Sequence, residues 1–150
     1  MKIDEALQTK FKSPQQKAII NIRFTSNFLG NIQQNTMNQY DLSMPQFNIL
    51  RILRGAGEAI NVNTVKDRMV EKSPNTTRLM DKLIDKGLIE RTRCEDDRRV
   101  VFVKISENGL SVLSEIDKNT DINLLINAGL SDEEANSLSD LLDKTRASYE

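Results

Sequence analysis

The sequence predicts a mainly α-helical fold with one small β-hairpin. Two observations carry this. Apolar residues recur at helical spacing along most of the chain, whereas residues 88–105 alone switch to β-branched residues around a charged turn. A third sets the scale: 150 residues, 38% of them hydrophobic, can bury the core of one domain but hardly of two.

The elements follow in order. Ser13-Pro14 followed by Gln16 reads as an N-cap, a first-turn proline and a capping-box partner. Ile20, Phe24 and Phe28 then recur every four residues, and Ala18, Ile22, Leu29 and Ile32 form a second stripe. That is more apolar surface than one side of a small core consumes, so this helix is expected to serve a core and a partner. Asp41, Ser43 and Pro45 punctuate the chain, and Phe47, Ile49, Leu50 and Leu53 mark a second helix that Gly55 and Gly57 end. Asn61 caps a short third helix, with Val65 and Met69 inward, ending near Glu71 and Lys72. Ser73 and Pro74 start a fourth, whose Thr76, Leu79, Met80 and Leu83 share one face, with Gly87 as its stop.

Leu88 to Arg93 and Val100 to Ile105 read as two strands joined by the polar turn Glu95-Asp96-Asp97-Arg98. Ser106 caps a fifth helix through Leu110, Leu113 and Ile116 towards Leu124. Ser131 with Glu134 forms a capping box for a sixth, through Leu138, Leu141 and Leu142.

Charge and composition narrow the function. The net charge is -1, but residues 1–50 carry +2, residues 51–104 carry +4 and residues 105–150 carry -7. A basic middle beside an acidic last third suggests an anion-binding or nucleic-acid-binding middle segment, although two differently solvated faces would give the same counts. The sequence contains no His, so the commonest general base and metal ligand are both missing. The single Cys, Cys94, can form neither an internal disulfide nor a thiolate cage. No metal and no cofactor are expected. No apolar run approaches the roughly 18 residues of a membrane span, and the chain reads as cytoplasmic, without a membrane partner.

Two short helices joined by a tight turn, the second with a polar face and followed at once by a charged hairpin, make a winged helix-turn-helix. The second helix would enter the major groove of double-stranded DNA, where its first turn offers Asn75, Thr77 and Arg78 to base edges. Arg78 pairing with Asp81 or Asp85 is the bland alternative. The hairpin tip presents Arg98 and Arg99 behind Glu95, Asp96 and Asp97, either as a solvated turn or as a minor-groove contact whose arginine is steadied by a carboxylate.

The stretch SPNTTRLMDKLIDKGLIERTRCEDDRRVVFVKISENG resembles the MarR family of bacterial winged-helix transcription regulators. The likeness rests on TRLMDKL in the fourth helix, GLIER leading into the wing, DRR at its tip and SENG opening the next helix, and in element order it extends over nearly the whole chain. It implies a single domain of residues 1–150, with a DNA-binding lobe over about 42–105 flanked by dimerisation helices over about 13–40 and 106–150. The implied protein is a homodimeric repressor on a palindromic operator. Asp97 and Arg99 match the family's wing pair, with Arg98 between them. The recognition-helix contacts fall on Asn75, Thr77 and Arg78, and phosphate contacts on Ser73 and Lys82. Lys66 and Val70-Glu71-Lys72 depart from the family's pattern, so helix packing is expected to differ there. The lack of His argues against the zinc-binding members.

The resemblance also implies release from DNA by a small aromatic or anionic effector in the crevice between lobe and dimerisation helices. Met44 and Phe47 are candidates there, although residues at such spacing are more often core. Cys94, beside Arg93, reads as a bystander thiol rather than an oxidant sensor. An enzyme would have to use the acids at Glu95–Asp97 or Asp132–Glu134, which solubility and the helix dipole explain. Gly55-Ala56-Gly57 lacks the remainder of a dinucleotide motif. The other rival is a winged helix that binds a protein instead of DNA.

Overall fold

The computed structural model describes residues 1–119 and 129–150. The chain divides into two compact units, Met1–Thr120 and Asp121–Glu150. The expected end of the fifth helix at Leu124 lies outside the described residues.

The first unit opens with a short helix, α1 (Ile3–Leu7), in a charged segment whose sequence shows no helical pattern. Ile3 is buried, and Asp4 accepts a hydrogen bond from Lys17, whose ammonium also stands 5.9 Å from the Phe11 ring centroid. The long helix α2 (Pro14–Asn38) starts as the sequence predicts, with Ser13 Oγ accepting the Gln16 N–H at 3.1 Å. The Gln16 side chain, however, accepts from the Lys12 N–H at 2.7 Å rather than closing the box on Ser13. Of this helix only Met37 is buried; Ile22, Phe24, Phe28, Leu29 and Ile32 all stay exposed. The expected division between a core stripe and a partner stripe is therefore not seen: neither stripe enters the core of this unit.

Helix α3 (Met44–Ala56) begins on a full capping box, Ser43 with Gln46, and ends at Gly57, whose φ of 69° only glycine adopts without strain. It runs through Gly55. Its Phe47, Ile49, Leu50 and Leu53 form the centre of the core. A two-residue strand, β1 (Ile60–Asn61), precedes α4 (Val62–Arg68), which Asn61 caps through the Asn63 N–H at 2.8 Å. α4 ends earlier than the sequence suggests because Met69 turns extended and buries its side chain in the core. The turn is then fixed from outside: Asn48 Oδ1 accepts the Val70 N–H at 3.1 Å, and the Lys72 ammonium caps the Lys66 and Asp67 carbonyls. Val70-Glu71-Lys72 thus closes the end of α4 with a lysine cap.

Helix α5 (Thr76–Asp85) starts two residues later than expected. Ser73 does not cap the helix directly. Its Oγ accepts the Asn75 N–H at 3.1 Å and its carbonyl accepts the Thr76 hydroxyl at 2.9 Å, so Pro74 and Asn75 form a turn on which the helix is built. Thr76, Met80 and Leu83 are buried, as their spacing requires. The wing strands β2 (Ile89–Arg93) and β3 (Val101–Ile105) pair antiparallel from Ile89↔Ile105 to Arg93↔Val101. β1 adds to the other edge of β3, giving the order β1-β3-β2. Helix α6 (Glu107–Asn119) buries Leu113 and Ile116.

In the second unit, α7 (Asp132–Ala147) carries the expected Ser131–Glu134 capping box, and three acids fill its first turn where the helix dipole favours them. Leu138 and Leu141 are exposed. Among the described residues no helix is long and apolar enough to cross a membrane.

Candidate nucleic-acid interface

The lobe built from α3, α4, α5 and the three strands presents α5 and the wing side by side. Between α4, α5 and the wing lies a cleft of about 260 Å³, lined among others by Asn63, Lys66, Thr77, Arg91 and Arg99. Thr77 from the first turn of α5 and Arg99 from the wing tip, distant in sequence, thus share one concave surface. Lys66 and Arg91 add two cations that the sequence reading did not assign to a site.

The remaining expected contacts spread around this cleft. Asn75, Thr77 and Arg78 are exposed in the opening turn of α5. Asp81 forms its ion pair with Arg91 at 3.0 Å, and Arg78 carries no ion pair among the described residues, so its guanidinium remains available. Asn75 makes no side-chain cap. The backbone N–H groups of Thr77 and Arg78 consequently have no partner among the described residues, which leaves two donors aimed along the helix axis where an anion is favoured. Ser73 is half-buried and its Oγ already accepts one bond, but its hydroxyl proton can still be donated. Lys82 lies on the other flank of α5, away from the wing cleft.

At the wing tip, Cys94 N–H donates to the Val100 carbonyl at 3.0 Å and Val100 N–H to the Asp97 carbonyl at 2.9 Å. Asp97 Oδ1 accepts the backbone N–H of Arg99 at 3.0 Å. The aspartate supports Arg99 through its backbone, as an Asx turn, and not through a bidentate bond to the guanidinium. Arg98, Glu95 and Asp96 project into solvent. Lys66, at the family-atypical position, is half-buried on the cleft wall.

A second groove, about 610 Å³, runs between the C-terminal end of α2, the start of α3 and the far flank of α5. Its lining includes Gln34, Gln46, Lys82, Asp85 and Lys86. Phe47, a sequence candidate for this crevice, is instead a core residue, and Met44 packs against the core. Gln34 ties the groove's walls together: its amide donates to Asn38 Oδ1 at 2.7 Å and to the Leu42 carbonyl at 3.1 Å, and its carbonyl accepts the Met44 N–H at 3.0 Å. Lys86, just past α5, pairs with Asp41 at 2.9 Å. Among the described residues no group of three potential metal ligands occurs.

A family model described as the MarR family matches residues 42–101, the lobe that holds both clefts' α5 walls and most of the wing. The HTH-type transcriptional regulator MhqR of Bacillus subtilis is 30% identical over 108 residues, covering 71% of this chain and 73% of that protein. The chain belongs to the MarR family of transcriptional regulators. Among solved structures, a MarR transcription factor from Planctomyces limnophilus superposes with a TM-score of 0.68 at 30% identity, over 92% of this chain and 99% of that one. A further relative, the uncharacterized HTH-type transcriptional regulator YfiV of Bacillus subtilis, is 34% identical over 59% of this chain, but the match spans only 53% of YfiV. The chain thus spans about half the length of that relative.

Proposed function

We propose that this MarR-family chain is a sequence-specific DNA-binding regulator that acts in the cytoplasm as a homodimer, by binding rather than by catalysis. The observation that carries the reading is the shared cleft: Thr77 of α5 and Arg99 of the wing face one surface, beside an Arg78 without an ion pair among the described residues. Such a surface suits one duplex. α5 lies in a major groove with Asn75, Thr77 and Arg78 at base edges, the free amides and the Ser73 hydroxyl hold phosphate, and Arg99 enters the adjacent minor groove, where the negative potential is deepest. Arg98 and Lys82 neutralise flanking phosphates. Asp97 shapes the wing tip.

Dimerisation rests on exposed apolar surface. Phe28 is 57% and Leu141 61% exposed, and a run of such side chains along α2 and again on α7 favours a partner over water. A second copy supplies it, and the two α5 helices then fall about one DNA turn, roughly 34 Å, apart on a palindromic site. The second groove, with Lys82 and Lys86 on its wall, suits a small aromatic or anionic effector; one that prefers a different angle between α2 and the lobe lowers DNA occupancy by its differential affinity. The sign of regulation is then repression relieved by the effector.

The test is binding of the purified protein to DNA from immediately upstream of its own coding region, titrated with salt beside Arg78→Ala and Arg99→Ala. Phosphate neutralisation makes affinity fall steeply with salt, and each substitution weakens it by about 1–3 kcal/mol. Binding no tighter than to random duplex, unchanged by either substitution, sinks this reading in favour of a protein-binding winged helix.

A further inference from the structure

The Asp81–Arg91 pair has a placement that neither residue's type explains. In the β2–β3 ladder Ile89 lies opposite Ile105 and Arg91 opposite Val103. Ile89, Ile105 and Val103 are all buried, so the inner face of β2 runs from an isoleucine straight into an arginine as the strand leaves the core. On the helix side, Asp81 follows Thr77 by one turn on the same face. Arg91 Nη1 reaches Asp81 Oδ1 at 3.0 Å, with the Arg91 side chain 41% and the Asp81 side chain 48% exposed. Both residues line the cleft whose lining also includes Thr77 and Arg99.

A carboxylate on the DNA-facing side of a recognition helix repels phosphate unless it does something else. We propose that Asp81 is a positioning residue: through Arg91 it ties the wing to α5 and so fixes the separation between the helix contacts at Thr77 and Arg78 and the wing contact at Arg99. This rests on the DNA-binding reading above. The ladder holds β2 to β3, and β3 to β1, but those bonds orient the sheet within its own plane. The ion pair adds a polar link from the sheet's outer end to the helix that must enter the neighbouring groove. Specificity requires both elements to engage together, so loosening this link should reduce discrimination more than general affinity for DNA.

The experiment compares binding to the tightest duplex recovered by selection from random sequence with binding to a scrambled duplex of the same length. Asp81→Asn should lower the ratio of the two affinities by up to about fivefold, the full worth of one well-aligned exposed pair. Arg91→Met should lower it equally while leaving the salt dependence of binding unchanged. The reversed pair, Asp81→Arg with Arg91→Asp, should restore it. The inference is overturned if Asp81→Asn tightens binding to both duplexes alike, which marks Asp81 as a repulsive charge only. It is overturned equally if Arg91→Met reduces the salt slope by about one, the mark of a direct phosphate contact. Should wild type not discriminate at all, the DNA reading itself has failed. Amide exchange in the DNA-free protein then decides the link alone: faster exchange in β2 and β3 of Asp81→Asn supports it, and unchanged exchange overturns it.

Discussion

Replacing Gly109 by alanine tests how the wing is anchored to the lobe. Gly109 sits in the first turn of α6, directly beneath the connection between α5 and β2. A Cβ built there would lie 2.2 Å from the Leu88 carbonyl oxygen and 2.7 Å from Ile105 Cγ1. The nearer atom is backbone, and it is held: the Ser106 N–H donates to the same Leu88 carbonyl at 3.0 Å, the Ser106 hydroxyl to the Gly87 carbonyl at 2.7 Å, and the Gly109 N–H to Ser106 Oγ at 3.1 Å. Restoring ordinary van der Waals separation needs the helix start to retreat by about an ångström, which strains the packing and stretches these bonds. Overpacking of this kind costs about 1–3 kcal/mol, and two weakened hydrogen bonds add about 2 kcal/mol. Alanine's better helix propensity returns at most about 1 kcal/mol. The expected net loss is roughly 2–4 kcal/mol, or about 6–12 °C in melting temperature for a chain of this size.

The assay is urea and thermal unfolding followed by circular dichroism, at fixed protein concentration because dimerisation contributes to apparent stability. Gly55→Ala is the control: it is helical, with no atom within 4 Å of the added Cβ, and should be neutral or stabilising by up to about 1 kcal/mol. A Gly109→Ala protein as stable as wild type would refute the close approach of α6 to the Leu88 carbonyl.

Three further outcomes follow from the geometry. Phe28→Asp places a charge on the exposed apolar face of α2 and should shift the protein from dimer to monomer in sedimentation, with loss of DNA binding but little change in helix content. The Lys17 hydrogen bond holds the Asp4 carboxyl below the usual carboxylate range. The contribution of this pair to holding α1 is therefore present at neutral pH and is lost as the pH falls through that lowered value. Carbon-detected NMR titration should show the low midpoint, and Lys17→Met should return it to the ordinary range. Gln34→Ala removes the two side-chain bonds by which Gln34 holds the α2–α3 junction, to the Leu42 carbonyl and from the Met44 N–H, and should weaken DNA binding up to about tenfold by freeing the lobe's angle, measured as affinity for the selected operator; unchanged affinity would show that this junction does not set lobe spacing.

What the sequence made legible was local. Ser43 with Gln46 and Ser131 with Glu134 cap their helices across three residues, and Thr76, Met80 and Leu83 recur at helical spacing. Such signals need no knowledge of the fold, and the structure contains each of them. The two-residue β1 was not legible because two residues have no period; only its pairing with β3 makes it a strand. α1 was hidden for a similar reason, since five residues owe their helix to docking through Ile3 and Asp4. The start of α5 was misplaced because Ser73, Pro74 and Asn75 satisfy an N-cap pattern and a turn pattern equally, and the turn prevailed. In the candidate site, residue types were readable but partners were not. Asp97 looked like a clamp for a guanidinium and instead accepts a backbone N–H. Asp81 looked like a mate for Arg78, one turn away, but pairs with Arg91 across the cleft. These choices depend on how β2 crosses α5, which composition and spacing do not encode.

The central claim, that two copies of this lobe read one DNA site with α5 and the wing together, is tested most directly by selection from random duplexes followed by hydroxyl-radical footprinting. The expected result is an inverted repeat with half-site centres about one helical turn apart, with protection extending into the flanking minor grooves and lost there in Arg99→Ala. Recovery of no enriched sequence, or of a single unrepeated site whose footprint ignores Arg99, would contradict it.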